Sequence, residues 1–294
     1  MIEAPLLAAL AAVLRSGSFD AAAAALNLTP SAVSQRIKAL EERMGTVLVI
    51  RSQPCQATPA GQRLARHADD ILLLEQSLAR DLGTGQGTRP TLRIAVNADS
   101  LATWLLPALT ALPEALFDLV IDDQDHSAAL LRRGEVMAAV TAAAEPVQGC
   151  DCHRLGALRY IATASPAFRD RWFAAGVTAS ALAEAPALIF NAKDRLQSDW
   201  ARALTGRRLA LPCHVIGSSR AFVAAALLGL GWGLNPEPLV RRALAEGRLV
   251  ALAPEAPLDV PLYWQISRLT GAALKPLTQA LRAAARQNLW PLSA

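Results

Sequence analysis

Residues 4–44 carry three short helical patterns separated by tight breaks, and this arrangement is the strongest constraint on the fold. In the first pattern Leu6, Leu10 and Val13 recur at helical spacing, and the pattern ends at Gly17. The second pattern spans residues 19–26 and has Ser18 as its predicted N-cap. A four-residue break at 27–30 precedes the third. Three short helices with such a turn before the last predict a helix-turn-helix unit.

The third helix, which Ser31 opens, has two chemically different faces. Its predicted buried stripe is Val33, Ile37, Leu40 and Met44. The opposite face carries Ser31, Ser34, Gln35 and Lys38, with Arg36 on the flank. Hydroxyls, an amide and a cation are the groups that bind base edges in the major groove and the flanking phosphates. The alternative is an ordinary solvated helix face. The position of this helix as the third of a trihelical unit favours DNA recognition.

The segment after this helix predicts a wing and a long connecting helix. Residues 47–50 form a short apolar strand, and Arg51 then lies at the tip of a two-stranded wing, where it can contact phosphate. A helix is predicted from residue 60 to about 82, with Leu64, Ile71 and Leu78 spaced by seven residues. This heptad spacing predicts pairing with a second protomer. The glycine-rich residues 83–88 have the composition of a flexible linker.

Beyond residue 90 the pattern changes to strands that alternate with helices. Predicted strands cover 92–96, 117–121, 136–140, 159–163, 187–190, 214–217, 231–235 and 263–267. Such alternation predicts a parallel α/β sheet with right-handed crossovers. Some 200 residues of this pattern favour two lobes, with a terminal helix, 272–289, packed on the first lobe. The predicted fold class is therefore α/β, with an N-terminal winged helix-turn-helix and a linker helix before a two-lobed domain that resembles periplasmic binding proteins.

Composition and motifs exclude several functional classes. The 294 residues carry a net charge of +4, which permits an anionic partner, but only three of the 29 basic residues are lysines. No apolar run is long enough to cross a membrane and no secretory signal is evident, so we expect a cytoplasmic protein. Cys150 and Cys152 lack a second ligand pair at zinc spacing, so no metal site and no cofactor are predicted.

Segments along the whole chain resemble the LysR family of transcriptional regulators. In the N-terminal part these are residues 19–26 (FDAAAAAL), 29–41 (TPSAVSQRIKALE) and 58–61 (TPAG), and residues 229–236 (GLGWGLNP) are similar to a late segment of the family. Further segments resemble its ArgP/LysG branch, namely 96–104 (VNADSLATW), 130–136 (LLRRGEV), 212–214 (PCH) and 218–219 (SS).

The resemblance implies a regulator that senses a basic amino acid and activates the gene of an amino-acid exporter of the LysE/ArgO type. It also implies a homodimer or homotetramer on an interrupted palindrome in double-stranded DNA, with RNA polymerase as a partner. The expected domains are a DNA-binding domain at 1–60, a dimerisation helix and hinge at 61–90, and an effector domain at 91–294. Within the last, lobe I covers about 91–162 and 268–294, and lobe II about 163–267.

Candidate site residues follow from this arrangement. We expect Ser34, Gln35 and Lys38 to contact bases, and Thr29, Ser31, Arg36 and Arg51 to contact phosphates. An effector is expected in the cleft between the lobes, at the carboxyl ends of the strands. Its predicted contacts are Asn97, Asp99, Ser100, Asp123, Asp194 and Ser218. The acids would hold ammonium groups, and the hydroxyls near helix starts would hold a carboxylate.

Other functions are weaker alternatives. Another effector and pathway, or a role as an inhibitor of replication initiation, would keep the same domains. An α/β enzyme with His126 or His214 as general base lacks a phosphate loop, a nucleophile elbow or paired carboxylates. A solute-binding protein would have two lobes, but it would lack the N-terminal helices and would need an export signal. We therefore do not expect an enzyme.

Overall fold

The N-terminal domain is a trihelical unit in which every helix ends at a left-handed residue. The computed structural model describes residues 2–84, 89–122 and 127–292. The first three helices are α1 (Ala4–Ser16), α2 (Phe19–Leu26) and α3 (Pro30–Met44). Their C-caps Gly17, Asn27 and Gly45 have φ values of 67°, 53° and 66°. Glycine and asparagine adopt this conformation at little cost, which explains why the helices stop there.

The buried stripe of α3 is confirmed except at its last member. Val33, Ile37 and Leu40 are fully buried and pack in one cluster with Leu10 and Val13 of α1. Met44 is 38% exposed, so its predicted burial was wrong. It is the last residue of α3, and the chain turns away at Gly45. The predicted N-cap of α2 is confirmed, since the Ser18 hydroxyl accepts a hydrogen bond from the Ala21 N–H.

A small wing and a long helix follow α3. Strands β1 (Val49–Ile50) and β2 (Gln56–Ala57) pair antiparallel, and α4 spans Pro59–Asp81. The heptad spacing predicted a second protomer as the partner of α4, but the helix also packs within its own chain. The helix packs along α1, and Leu73 is buried in the core of the C-terminal domain. Two of its later leucines, Leu74 and Leu78, remain exposed, as does Leu82 directly after the helix.

The C-terminal domain contains a mixed sheet rather than the predicted parallel one. Its strands are β3 (Thr91–Val96), β4 (Leu116–Ile121), β5 (Ala138–Thr141), β6 (Cys150–Ala164), β9 (Gly233–Pro236), β10 (Val250–Ala251) and β11 (Leu258–Ser267). The order is β10-β6-β11-β5-β3-β4, with β9 also paired to β6. In this sheet the parallel pairs are those that β3 forms with β4 and β5. The pairs that involve β6 or β11 are antiparallel. The prediction failed because β6 and β11 pair with each other along most of their length.

The long strands β6 and β11 join two lobes. Lobe I is built on β3, β4 and β5, and lobe II on β9 and on a separate parallel pair, β7 (Ala187–Ile189) and β8 (Cys213–Val215). The early part of β6 pairs with β11 beside β5, and its last part pairs with β9 and β10. One continuous strand thus passes from lobe I into lobe II, and a cleft lies between them.

Helices cover both lobes. They are α5 (Ala98–Ser100), which continues as a π-helical turn (Leu101–Leu105) into α6 (Leu106–Leu109), then α7 (Ser127–Arg132), α8 (Pro166–Trp172), α9 (Ala179–Glu184), α10 (Leu196–Thr205), α11 (Ser219–Leu227), α12 (Glu237–Ala245), α13 (Arg268–Gly271) and α14 (Lys275–Asn288). The predicted packing of the terminal helix on lobe I is confirmed, because α14 contacts α6 and the π-helical turn. Within the described residues no helix has the length and apolarity to span a bilayer.

Candidate nucleic-acid interface and ligand cleft

The polar face of α3 is exposed and adjoins the wing. Ser31, Ser34, Gln35 and Lys38 lie on one side of the helix because their spacing follows the helical repeat. Arg51 follows β1 and donates a hydrogen bond from Nη2 to the Ser34 hydroxyl at 3.4 Å. Its guanidinium lies 4.9 Å from the centre of the Phe19 ring, which holds this cation beside the helix.

The start of α3 presents two neighbouring hydroxyls. Thr29 is the N-cap of α3, since its Oγ1 accepts from the Ala32 N–H at 3.2 Å, and it lies 3.0 Å from the Ser31 hydroxyl. A helix start of this kind attracts a phosphate. Lys38 forms an exposed ion pair with Glu42 at 3.7 Å, and Arg36 is half-buried on the flank. Among the predicted DNA contacts, Thr29 thus adjoins Ser31, and Arg51 adjoins Ser34.

A cleft with an empty volume of about 900 Å³, part of it open to bulk solvent, lies between the two lobes. On the lobe I side it is lined by Asn97, Asp99 and Asp122, which follow β3 and β4. Asp99 has a defined orientation, because the Tyr160 hydroxyl of β6 donates to its Oδ2 at 2.8 Å. Ser100 is fully buried next to this group, and its Oγ has no hydrogen-bond partner among the described residues.

Several buried polar groups of the cleft lack a hydrogen-bond partner among the described residues. They are the side-chain oxygen of Asn97, both polar atoms of Gln197, the Ser219 hydroxyl and the side-chain oxygen of Asn235. All four side chains line the cleft and are at most 7% exposed. An unsatisfied buried polar group costs about 1–3 kcal/mol, so this concentration indicates a site for a polar ligand.

The cleft also has an acidic balance and an apolar wall. Asp99, Asp122, Asp194 and Asp199 line it, against the single lining cation Arg195 among the described residues. The apolar wall consists of Ile121, Phe190, Leu196, Phe222 and Leu234. Arg195 forms an ion pair with Asp199 at 3.5 Å, and this pairing reduces the positive potential that Arg195 contributes to the cleft. A small ligand with at least one cationic group and an aliphatic part fits this environment.

The structure does not bring all the predicted ligand residues together. Asp123 lies outside the described residues. Asp194 lines the cleft, but its carboxylate oxygens accept backbone hydrogen bonds from Phe190 and Leu196 at 2.8 and 3.0 Å. Ser218 is exposed and is the N-cap of α11, where its hydroxyl accepts from the Ala221 N–H, whereas Ser219 lines the cleft.

Gln197, Ser219 and Asn235 were missed by sequence reasoning. Gln197 is near the start of α10, where a glutamine is normally solvated, so the local sequence did not indicate that it is buried in the cleft. Asn235 lies in the late GLGWGLNP segment, and that segment was the available clue. Its Nδ2 donates to Thr163 Oγ1 at 2.9 Å, which leaves the side-chain oxygen directed away from that bond.

The described residues hold no cluster of three potential metal ligands. Burial raises the pKa of the Cys150 and Cys152 thiols, which keeps them protonated and poor as ligands. The Cys213 thiol has a raised pKa for the same reason. His214, the alternative general base, is half-buried on β8 and does not line the cleft.

Two family matches cover nearly the whole chain. Residues 5–62 match the bacterial regulatory helix-turn-helix protein family of LysR type, and residues 85–290 match the LysR substrate binding domain. LysG of Mycobacterium bovis, described as an HTH-type transcriptional regulator, is 47% identical over 97% of this chain and 94% of that protein.

Solved structures agree with this assignment. ArgP of Mycobacterium tuberculosis superimposes with a TM-score of 0.84 at 46% identity, covering 99% of this chain and 100% of that one. Full-length LysG of Corynebacterium glutamicum with the effector Arg bound gives a TM-score of 0.71 at 38% identity, with 99% and 100% coverage. These relatives are regulators and not enzymes. The chain therefore belongs to the LysR family of bacterial transcriptional regulators, and its relatives are of the LysG and ArgP type.

Proposed function

We propose that this regulator binds a basic amino acid, such as arginine or lysine, in the cleft between its lobes. The observation that carries the proposal is the set of buried unpartnered groups on Asn97, Gln197, Ser219 and Asn235 beside the oriented carboxylate of Asp99. An amino acid offers the donors and acceptors that these groups lack. The arginine bound to LysG of Corynebacterium glutamicum supports the same ligand class.

The cleft suggests how the ligand is oriented. Asp99 faces the α-ammonium, because the Tyr160 hydrogen bond holds it as a charge-assisted acceptor. The ligand carboxylate lies at the start of α11, where the Ser219 hydroxyl and the first helix N–H groups are donors. Its side chain extends along Phe190 and Leu234 with the cation directed toward Asp122. Asp194 shapes the loop after β7, and Ser100, which is buried, stays a predicted contact. Ser218 caps α11, and Asp123 stays a predicted contact.

DNA recognition in this proposal uses α3 and the wing. Ser34, Gln35 and Lys38 contact base edges, while Thr29, Ser31, Arg36 and Arg51 contact phosphates. Paired domains of a homodimer or homotetramer then bind two half-sites about one helical turn apart. We assign DNA binding to residues 1–60, dimerisation to 61–90 and effector binding to 91–294.

The target follows from the effector class. A regulator that senses a basic amino acid can activate an exporter of that amino acid, and contact with RNA polymerase at the promoter would mediate activation. Control of another pathway or inhibition of replication initiation would use the same DNA-binding surface. Transcript profiling with and without arginine distinguishes these outcomes.

A thermal-shift panel with the twenty amino acids tests the effector. A ligand at about 100 times its Kd adds about 2.7 kcal/mol of stability, which raises the unfolding midpoint measurably. We expect a shift with basic amino acids that is lost in Asp99→Ala. Asp170→Ala is the control, because Asp170 is exposed and pairs only with its neighbour Arg169 in the described structure. A shift with none of the basic amino acids would contradict the proposed effector.

A gel-shift series with a specific and a random duplex tests the DNA surface. Arg51→Ala should weaken binding to both duplexes and lower the salt slope by about 1. Gln35→Ala should reduce the preference for the specific duplex by about 1–3 kcal/mol. Arg282→Ala, an exposed change on α14, should behave as wild type. Equal effects of all three changes would contradict the assignment.

A further inference from the structure

We infer that Lys193 is an internal competitor for the cationic end of the effector, and that its ion pair with Asp122 lowers the affinity of the cleft for basic amino acids. The inference rests on the proposed function. Lys193 Nζ of lobe II lies 3.3 Å from Asp122 Oδ1 of lobe I. The pair therefore joins the two lobes at the edge of the cleft, where Asp122 is a lining residue and Lys193 is not.

The loop that carries Lys193 is fixed by its own side chains. The Lys193 N–H donates to Asn191 Oδ1 at 2.7 Å, and the Asp194 N–H donates to the Asn191 carbonyl at 3.1 Å. Asp194 in turn accepts from the N–H groups of Phe190 and Leu196. These bonds close residues 190–196 into a compact turn, which presents the Lys193 ammonium toward lobe I.

Asp122 is a better cation site than an ordinary surface carboxylate. Its side chain is 24% exposed, and Asp122 and Ile121 line the cleft directly after β4. The Lys193 side chain, in contrast, is 54% exposed, so it can leave Asp122 and enter water at little cost. Of the two partners, the carboxylate stays in the cleft and the ammonium is the replaceable one.

Lys193 carries the same kind of cationic group as the basic effector with which it competes for Asp122. The Lys193 ammonium matches the side-chain ammonium of lysine, and an arginine guanidinium binds a carboxylate with two parallel hydrogen bonds. A basic effector can therefore displace Lys193 and form an equivalent or better pair with Asp122. A neutral amino acid cannot replace the lost pair, so it must leave Lys193 in place and binds only through its backbone groups.

Calorimetric titration of the full-length protein with arginine and with citrulline, its neutral isostere, tests this inference. An exposed ion pair stabilises by about 0.2–1 kcal/mol, so Lys193→Met should tighten arginine binding by about 1.4-fold to fivefold. Citrulline affinity should change less than arginine affinity. Lys275→Met removes an exposed lysine at the start of α14, away from the cleft, and should change neither.

A double-mutant cycle separates competition from a general charge effect. In the Asp122→Asn background the preference for arginine over citrulline should fall, and Lys193→Met should no longer tighten arginine binding. Unchanged arginine binding in Lys193→Met would overturn the inference. Weaker arginine binding would also overturn it, because Lys193 would then help to close the cleft over the ligand. Persistence of the gain in Asp122→Asn would also overturn it. If wild type binds neither arginine nor lysine, the proposed function fails as well.

Discussion

Asp99 owes its direction to Tyr160, a residue 61 positions away in sequence. The tyrosine side chain is buried, and its hydroxyl donates to Asp99 Oδ2. A carboxylate held in this way is oriented before a ligand binds, which removes the entropic cost of orienting it. Tyr160 is therefore a positioning residue for the proposed ammonium site.

At the residue scale, Tyr160→Phe should weaken effector binding by about tenfold or more while the fold is retained. The expected loss follows from the hydrogen bond to a charged group, which is worth about 1.5–3 kcal/mol. Isothermal calorimetry gives the Kd, and circular dichroism verifies the fold. The chain has one other tyrosine, and Tyr263→Phe is the matched control because Tyr263 does not line the cleft. An unchanged Kd in Tyr160→Phe would show that Asp99 does not depend on this bond.

At the scale of elements, the junction between the wing and α4 depends on a close backbone approach. The Thr58 hydroxyl accepts from the Gly61 N–H at 3.0 Å and donates to the Val47 carbonyl at 2.8 Å. This brings the first turn of α4 against Leu48, and a Cβ on Gly61 would overlap the Leu48 carbonyl oxygen. The TPAG segment thus joins the two elements through a helix cap and a glycine contact.

Gly61→Ala should lower the free energy of unfolding by about 1–3 kcal/mol, because the added methyl group forces the wing away from α4. Urea denaturation followed by circular dichroism measures the change. Gly271→Ala is the matched control: Gly271 is also helical, and its added Cβ would meet nothing within 4 Å. Alanine favours a helix over glycine, so the control should be neutral or stabilising. Equal stability of the two variants would contradict the role of the close approach.

The exposed leucines of α4 predict its second contact surface. Leu74, Leu78 and Leu82 are 36%, 59% and 67% exposed and follow one another at helical spacing. Leu78→Glu should disrupt association and give a smaller mass in light scattering, because a charge would be buried in the apolar seam. Gln76→Glu places the same charge on another side of α4 and should leave the mass unchanged. A wild-type mass for Leu78→Glu would place the interface elsewhere.

At the scale of the whole molecule, α4 connects the DNA-binding part to lobe I through a partly buried ion pair. Arg66 Nε lies 3.3 Å from Asp70 Oδ1, and Arg66 Nη1 donates to the Gly134 carbonyl of lobe I at 3.1 Å. The two side chains are only 14% and 11% exposed. Burial raises the pKa of the Asp70 carboxyl despite the opposing effect of Arg66. Desolvation therefore exceeds the attraction within the pair.

The raised pKa predicts a pH dependence with a defined sign. Between the ordinary value of 3.8 and the raised pKa, the folded state binds more protons at Asp70 than the unfolded state. The contribution of Asp70 to the free energy of unfolding must therefore fall as the pH rises through this window. Relative to Asp70→Asn, wild type should lose stability from pH 3.8 upward and reach a plateau above the raised pKa. Denaturation curves of both proteins across this range measure the free energy of unfolding. A wild type that gains stability relative to Asp70→Asn as the pH rises would contradict the prediction.

The sequence by itself determined the features that depend on neighbouring residues. The trihelical unit, the Ser18 cap and the polar face of α3 follow from periodicity and capping within about fifteen residues. The two-lobed class followed from the order of strand and helix patterns. The positions of Asn97 and Asp99 after a strand also indicated the edge of the sheet where the cleft lies.

Only the tertiary structure decided the features that join distant segments. The antiparallel pairing of β6 with β11 aligns residues about 100 positions apart, such as Arg159 and Asp259, and no local pattern encodes that register. Tertiary packing also docks α4 on α1, selects Ser219 rather than Ser218 for the cleft wall, and places Lys193 on Asp122. Local propensity specifies elements, whereas burial and pairing across the chain specify which side chains meet.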